Sequence, residues 1–169
     1  MAKADIRIFD TGGRVNVPVR TFPTALGGTA INAGEPVMWN VAANKINAYV
    51  VPVTDAKPVR GDYFVGIAAN AGTHTASANG YVDIYLDQPG TIYALKAKTA
   101  TTFDTLADVD ANTGYRVVFD LTSSNYRADV ADDLTTAAAG LQIVGGDHVS
   151  YTVYVAALDG ATWHSAAGI

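Results

Sequence analysis

Short runs of alternating apolar and polar residues, each ended within a few positions by Gly, Pro, Asn or Asp, recur from residue 3 to residue 155. Period-two alternation is the mark of extended backbone, because successive side chains of a strand point to opposite faces. Turn signals at intervals of about 8–12 residues are those of a sandwich or barrel. The runs are Ile6 to Ile8, Val15 to Val19, Val37 to Trp39, Ile46 to Val53, Phe64 to Ala69, Tyr81 to Leu86, Thr91 to Ala97, Tyr115 to Phe119, Tyr126 to Val130, Leu141 to Val144 and Val149 to Val155. Between them stand Thr11-Gly12-Gly13, Pro23 to Gly28, a loop near Ala43-Asn44, Arg60-Gly61-Asp62, Asn70 to Gly80, Gln88-Pro89-Gly90 and Gly145-Gly146-Asp147.

The acidic residues agree. Glu35 is the only Glu, and the other fifteen acids are Asp, a residue of turns and caps rather than helix interiors. Only two stretches read as helix: Thr102 to Val109, with Phe103 and Leu106 inward and Asp104 as cap, and Asp132 to Ala139 as a helix or loop. The expectation is an all-β chain: one β-barrel, β-tulip-like or sandwich domain over residues 23–169, with one or two short helices. Residues 1–22 precede it as an extended N-terminal arm or a first hairpin.

Both arrangements of the N-terminus fit the pattern. Ile6, Ile8 and Phe9, interleaved with Arg7 and followed by Arg14 and Arg20, read either as core strands or as a basic arm that adds a strand to a neighbour. Charge is uneven along the chain. Residues 1–103 carry a net +2 and residues 104–169 a net −7, which suits a particle component whose ends face different surroundings. The overall −5 and pI near 4.9 argue against nucleic acid as the main partner. The first residues lack a signal-peptide pattern, and no window approaches the ~20 apolar residues of a membrane span, so a soluble product without a membrane partner is expected.

Signs of catalysis are weak. With no cysteine, thiolate zinc sites, disulfides and a Cys nucleophile are excluded. Asp108-Val-Asp110-Ala-Asn112-Thr-Gly114 starts like a calcium loop, but Gly falls one position late and Phe119 stands where the bidentate acid belongs. An Asp/Asn-rich turn before a strand accounts for it better. Asp132 and Asp133 are adjacent, so their side chains diverge. His74, His148 and His164 lie in separate segments, and the serines lack a nucleophile signature. The expectation is no enzyme, no cofactor and no metal. The nine tyrosines, with Trp39 and Trp163, read first as core or interface anchors and second as a stacking platform for glycans.

Three segments carry a family resemblance. Ala33-Gly34-Glu35-Pro36-Val37, then Gly61-Asp62-Tyr63-Phe64-Val65-Gly66-Ile67-Ala68, then Gly80-Tyr81-Val82-Asp83-Ile84 with its Pro89-Gly90 turn, resemble the head-decoration (capsid-cement) proteins of tailed bacteriophages. These include the lambda type and a broader group with a tulip-shaped β domain. The resemblance spans residues 30–98, and the chain departs from the lambda type in its length and its acidic region after residue 104. It implies a structural virion protein on the outer capsid surface, made in the host cytoplasm, that cements adjacent major capsid proteins as a homo-oligomer, a trimer by preference. The expected contacts are Ile6, Arg7, Ile8, Phe9, Arg14 and Arg20. A minor tail or fibre-base protein, or a carbohydrate-binding β-sandwich, is the alternative.

Overall fold

The computed structural model describes residues 6–13, 15–42, 45–53, 64–88, 90–122, 125–129 and 141–157. Eleven strands and one α-helix run through them: β1 Arg7–Asp10, β2 Val19–Thr24, β3 Pro36–Ala42, β4 Lys45–Pro52, β5 Phe64–Ala68, β6 Gly80–Leu86, β7 Ile92–Ala97, α1 Leu106–Asn112, β8 Arg116–Thr122, β9 Asn125–Asp129, β10 Leu141–Asp147 and β11 Thr152–Ala157. The fold is all-β, in two mainly antiparallel sheets of which one curls as a half-barrel. The six-stranded sheet has the order β1-β7-β11-β10-β8-β9, and β9 turns back to pair in parallel with the end of β7. The five-stranded sheet has the order β2-β6-β5-β3-β4, with its edge strands β2 and β4 approaching one another.

Alternation in sequence becomes alternation in burial. Val82, Ile84 and Leu86 of β6 are buried while Tyr81 and Tyr85 face out. Every residue of β5 is buried, because the middle of its sheet is covered on both faces. Phe64 and Ile67 join a core shared with the six-stranded sheet, whereas Val65 and Ala68 join a second core with Phe22, Val37, Val50, Val82 and Ile84. The two sheets are tied by aromatic contacts. Phe64 meets Tyr93 edge-to-face at 5.5 Å, and the Tyr126 hydroxyl donates to the Val53 carbonyl at 2.7 Å. Tyr93 donates to Asp87 Oδ1 at 2.8 Å, with both groups fully buried. Burial first, and then the nearby carboxylates of Asp87 and Glu35 respectively, push Tyr93 and Tyr126 above the ordinary phenol range.

Glycine sits where two strands press together. Gly66 has φ +146° at the bulge where β3 slips against β5, and a Cβ there would lie 1.9 Å from the Tyr85 carbonyl oxygen. Gly145 and Gly146 belong to β10 rather than to the turn the sequence suggested, which falls instead at residues 148–151. Gly145 occupies a bulge against β11, and Gly146 lies under the buried Phe103 ring, so both serve strand packing.

The helix also differs from expectation. It begins at Leu106, after a 3-10 turn over Ala100–Thr102, and its cap is Thr105 rather than Asp104. Thr105 Oγ1 accepts from Asp108 N at 3.1 Å while Asp108 Oδ2 accepts from Thr105 N at 3.0 Å, a reciprocal capping box. Phe103 points inward as expected, but Leu106 opens the helix at 63% exposure and Val109 makes the core contact. The stretch Asp132 to Ala139, Trp163 and His164 lie outside the described residues.

Candidate binding surface

The N-terminal residues divide between core and surface. β1 pairs with β7 (Arg7 opposite Ala94, Ile8 opposite Tyr93), whereas β2 pairs with β6 in the other sheet. Thr11-Gly12-Gly13 therefore forms an elbow between sheets, and β1 and β2 do not make a hairpin. Gly12 N donates to Asp10 Oδ1 at 2.8 Å, and Gly12 and Gly13 both take positive φ, which suits a sharp change of direction. Residue 22, the expected end of the arm, falls inside β2.

Ile6 is buried in the chain's own core and Ile8 packs against it, so these two anchors are occupied within the protein. Phe9 is the extra residue of a bulge and stays 52% exposed, stacked on Tyr154 with centroids 4.3 Å apart. Arg7 and Arg20 are exposed, and Arg14 lies outside the described residues. Val15 at 96% and Val19 at 49% exposure are further apolar side chains facing solvent in this stretch. Sequence reasoning saw these valines as part of the alternation and did not single them out. Their exposure is set by tertiary placement, so no local sequence signal marks them.

Charge is mixed more finely than the sequence halves suggested. β1 and β7, from the basic part, lie in one sheet with β8 to β11 from the acidic part. Beside Arg7, Lys96 Nζ donates to the Ser150 carbonyl and to Thr152 Oγ1, and Lys98 pairs with Asp129 at 2.8 Å. Ser150 Oγ and the Val149 amide donate to Asp147 and hold its carboxyl below the usual range.

The residues of the calcium-like run are engaged locally on α1. Asp108 closes the capping box, with its carboxyl lowered first by the Thr105 hydrogen bond, and Asn112 Nδ2 donates to the carbonyls of Thr102 and Asp108. Among the described residues no three His, Cys, Asp or Glu side chains gather as a metal-holding group. His74 Nε2 lies 3.1 Å from the Gly28 carbonyl, a contact that joins two loops. Within the described residues no helix is long and apolar enough to cross a membrane. No protein-family model and no curated protein matches this chain.

Proposed function

We propose that this chain is a structural virion protein that decorates the outside of a tailed-phage capsid and cements neighbouring coat subunits, acting by binding rather than by catalysis. The carrying observation is that Phe9, Val15 and Val19 are apolar and exposed in one N-terminal stretch that also carries exposed Arg7. A partner that covers these residues removes apolar area from water, and a carboxylate on it would meet the Arg7 guanidinium. The family-like segments also support the reading, since Pro36-Val37, Phe64 to Ala68 and Gly80 to Ile84 form the adjoining strands β3, β5 and β6.

The mechanism is physical. A rigid β body that touches two coat subunits loses its buried area when they separate, so it raises the barrier to rupture of the shell. As a homo-oligomer, a trimer by preference, it multiplies weak contacts through high effective concentration. The partner is the major capsid protein, and the protein resides on the virion surface.

Cosedimentation with heads of the phage that carries the gene tests this. The chain should bind expanded heads and not the unexpanded shell. The combined variant Arg7→Ala, Phe9→Ser and Val15→Ser should stay folded, melting a few degrees lower for the lost Phe9–Tyr154 stack, yet lose most of the bound fraction. Full binding by that variant, or equal binding to both shells, rejects the proposal.

A further inference from the structure

A groove of about 420 Å³ lies at the seam of the five-stranded sheet, where β2 and β4 approach at the ends of the strand order. Tyr49 of β4 and Tyr81 of β6 line it together with Pro23, Thr24 and Asn79, and among the described residues no charged side chain does. Tyr81 is 62% exposed, unlike Tyr93 and Tyr126, whose rings are buried and whose hydroxyls donate within the core. Pro23 sits directly opposite Tyr81 in the register of β2 and β6, which sets two flat apolar rings side by side.

The polar groups of the groove are few and fixed. Thr24 is 1% exposed, and its Oγ1 has no hydrogen-bond partner among the described residues. Thr24 lies on the same side of β2 as the buried Phe22, so its hydroxyl faces the core rather than the groove, where Pro23 and Tyr81 stand. Asn79 Oδ1 accepts from Leu26 N at 2.9 Å, which orients the amide and leaves Nδ2 to donate. The backbone at Tyr81 is clamped: its N–H donates to Thr73 Oγ1 at 2.9 Å and its carbonyl accepts from Thr73 N at 3.0 Å. Gly80 allows that closeness, since a Cβ would meet His74 N at 2.1 Å. The ring therefore stands on rigid backbone, so little order is lost when it is covered.

We infer that this groove binds neutral saccharides. A pyranose presents an apolar C–H face that stacks on an aromatic ring and a rim of hydroxyls that both donate and accept. Two tyrosine rings and an oriented amide match that chemistry, and the described lining residues carry no charge that would favour uronate or sulfated sugars. The volume falls within the range of small-ligand sites and suits about one or two rings. The inference does not rest on capsid binding, since it concerns different residues.

Titration of ¹⁵N-labelled full chain with maltose, cellobiose and lactose, and affinity electrophoresis in dextran, xylan, galactomannan and alginate, test it. Amide shifts at millimolar disaccharide should cluster at residues 24–25, 48–49 and 79–81. Tyr81→Ala, at an exposed position, should weaken the response about tenfold, the loss of one stacked ring. Tyr115→Ala, outside the groove, should leave it unchanged. Silence at these amides with every neutral sugar, undiminished binding by Tyr81→Ala, or preference for alginate would each overturn the assignment.

Discussion

Replacing Gly146 by Ala adds one methyl group at the most crowded contact between β10 and the segment before α1. An ideal Cβ on Gly146 would lie 2.0 Å from Cε1 and 2.6 Å from Cζ of Phe103, and 2.7 Å from the Thr152 carbonyl oxygen. Carbon atoms in ordinary contact stay about 3.5–4.0 Å apart, so the ring must retreat by about 1.5 Å. Phe103 is fully buried among Val109, Val117 and Ile143 in the larger core, and has no free space to enter. Overpacking of this kind costs about 1–3 kcal/mol. For a chain of this size each kcal/mol shifts the midpoint by about 2–4 °C, so melting should fall by about 2–12 °C. Calorimetry or circular dichroism reads the shift. The φ of Gly146 lies outside the left-handed region, so Ala brings no backbone penalty to confuse the result. Phe103→Leu shortens the clashing side chain, so in the double variant the two costs should fall short of their sum by about 1 kcal/mol. The reasoning is refuted if Gly146→Ala melts within a degree of wild type, or if the two changes add.

Three further outcomes follow from the same geometry. Gly66→Ala should fail to fold, since its Cβ would stand 1.9 Å from the Tyr85 carbonyl at a φ of +146°; recovery of soluble protein with native near-ultraviolet dichroism contradicts this. Tyr93 and Tyr126 titrate above their unfolded value, so the neutral phenols support the fold below about pH 10 and that support is lost as pH rises through the folded values. Denaturant midpoints should therefore fall above about pH 10, by up to about 1.4 kcal/mol per unit for each tyrosine, and Tyr126→Phe should flatten the decline. Thr105→Ala removes one half of the capping box and should cost about 1 kcal/mol, seen as faster amide exchange across residues 106–112.

Much of the strand content was legible because burial alternates with the pleat: β3, β4, β5, β6 and β7 stand within a residue or two of their apolar runs. The capping box was legible too, as Thr105-Leu106-Ala107-Asp108, but the neighbouring Asp104 competes for the same role in sequence and only hydrogen bonds separate them. The double glycine at 145–146 misled, because Gly marks turns and tight packing alike. What distinguishes the two is the Phe103 ring, forty residues away in the chain, which no local pattern announces. The proposed contact residues were legible only as a composition of Arg and apolar side chains. Ile6 and Phe9 carry the same signal in sequence, yet one is sealed in the core and the other stacks on Tyr154 at the surface.

By itself the sequence determined that the chain is built of short strands, that thiol chemistry is excluded, and that turns fall where Gly, Asn and Pro interrupt the alternation. These are local properties, set by residue type and a period of two. The tertiary structure alone decided which strands are neighbours: β1 beside β7, β2 beside β6, and an elbow between them. It also decided that Thr24, Tyr49 and Tyr81 share one groove. Strand partnership depends on contacts between residues far apart in the chain, and the backbone hydrogen bonds that make a sheet are the same for every side chain. Only the joint packing of both cores selects among the pairings that alternation permits.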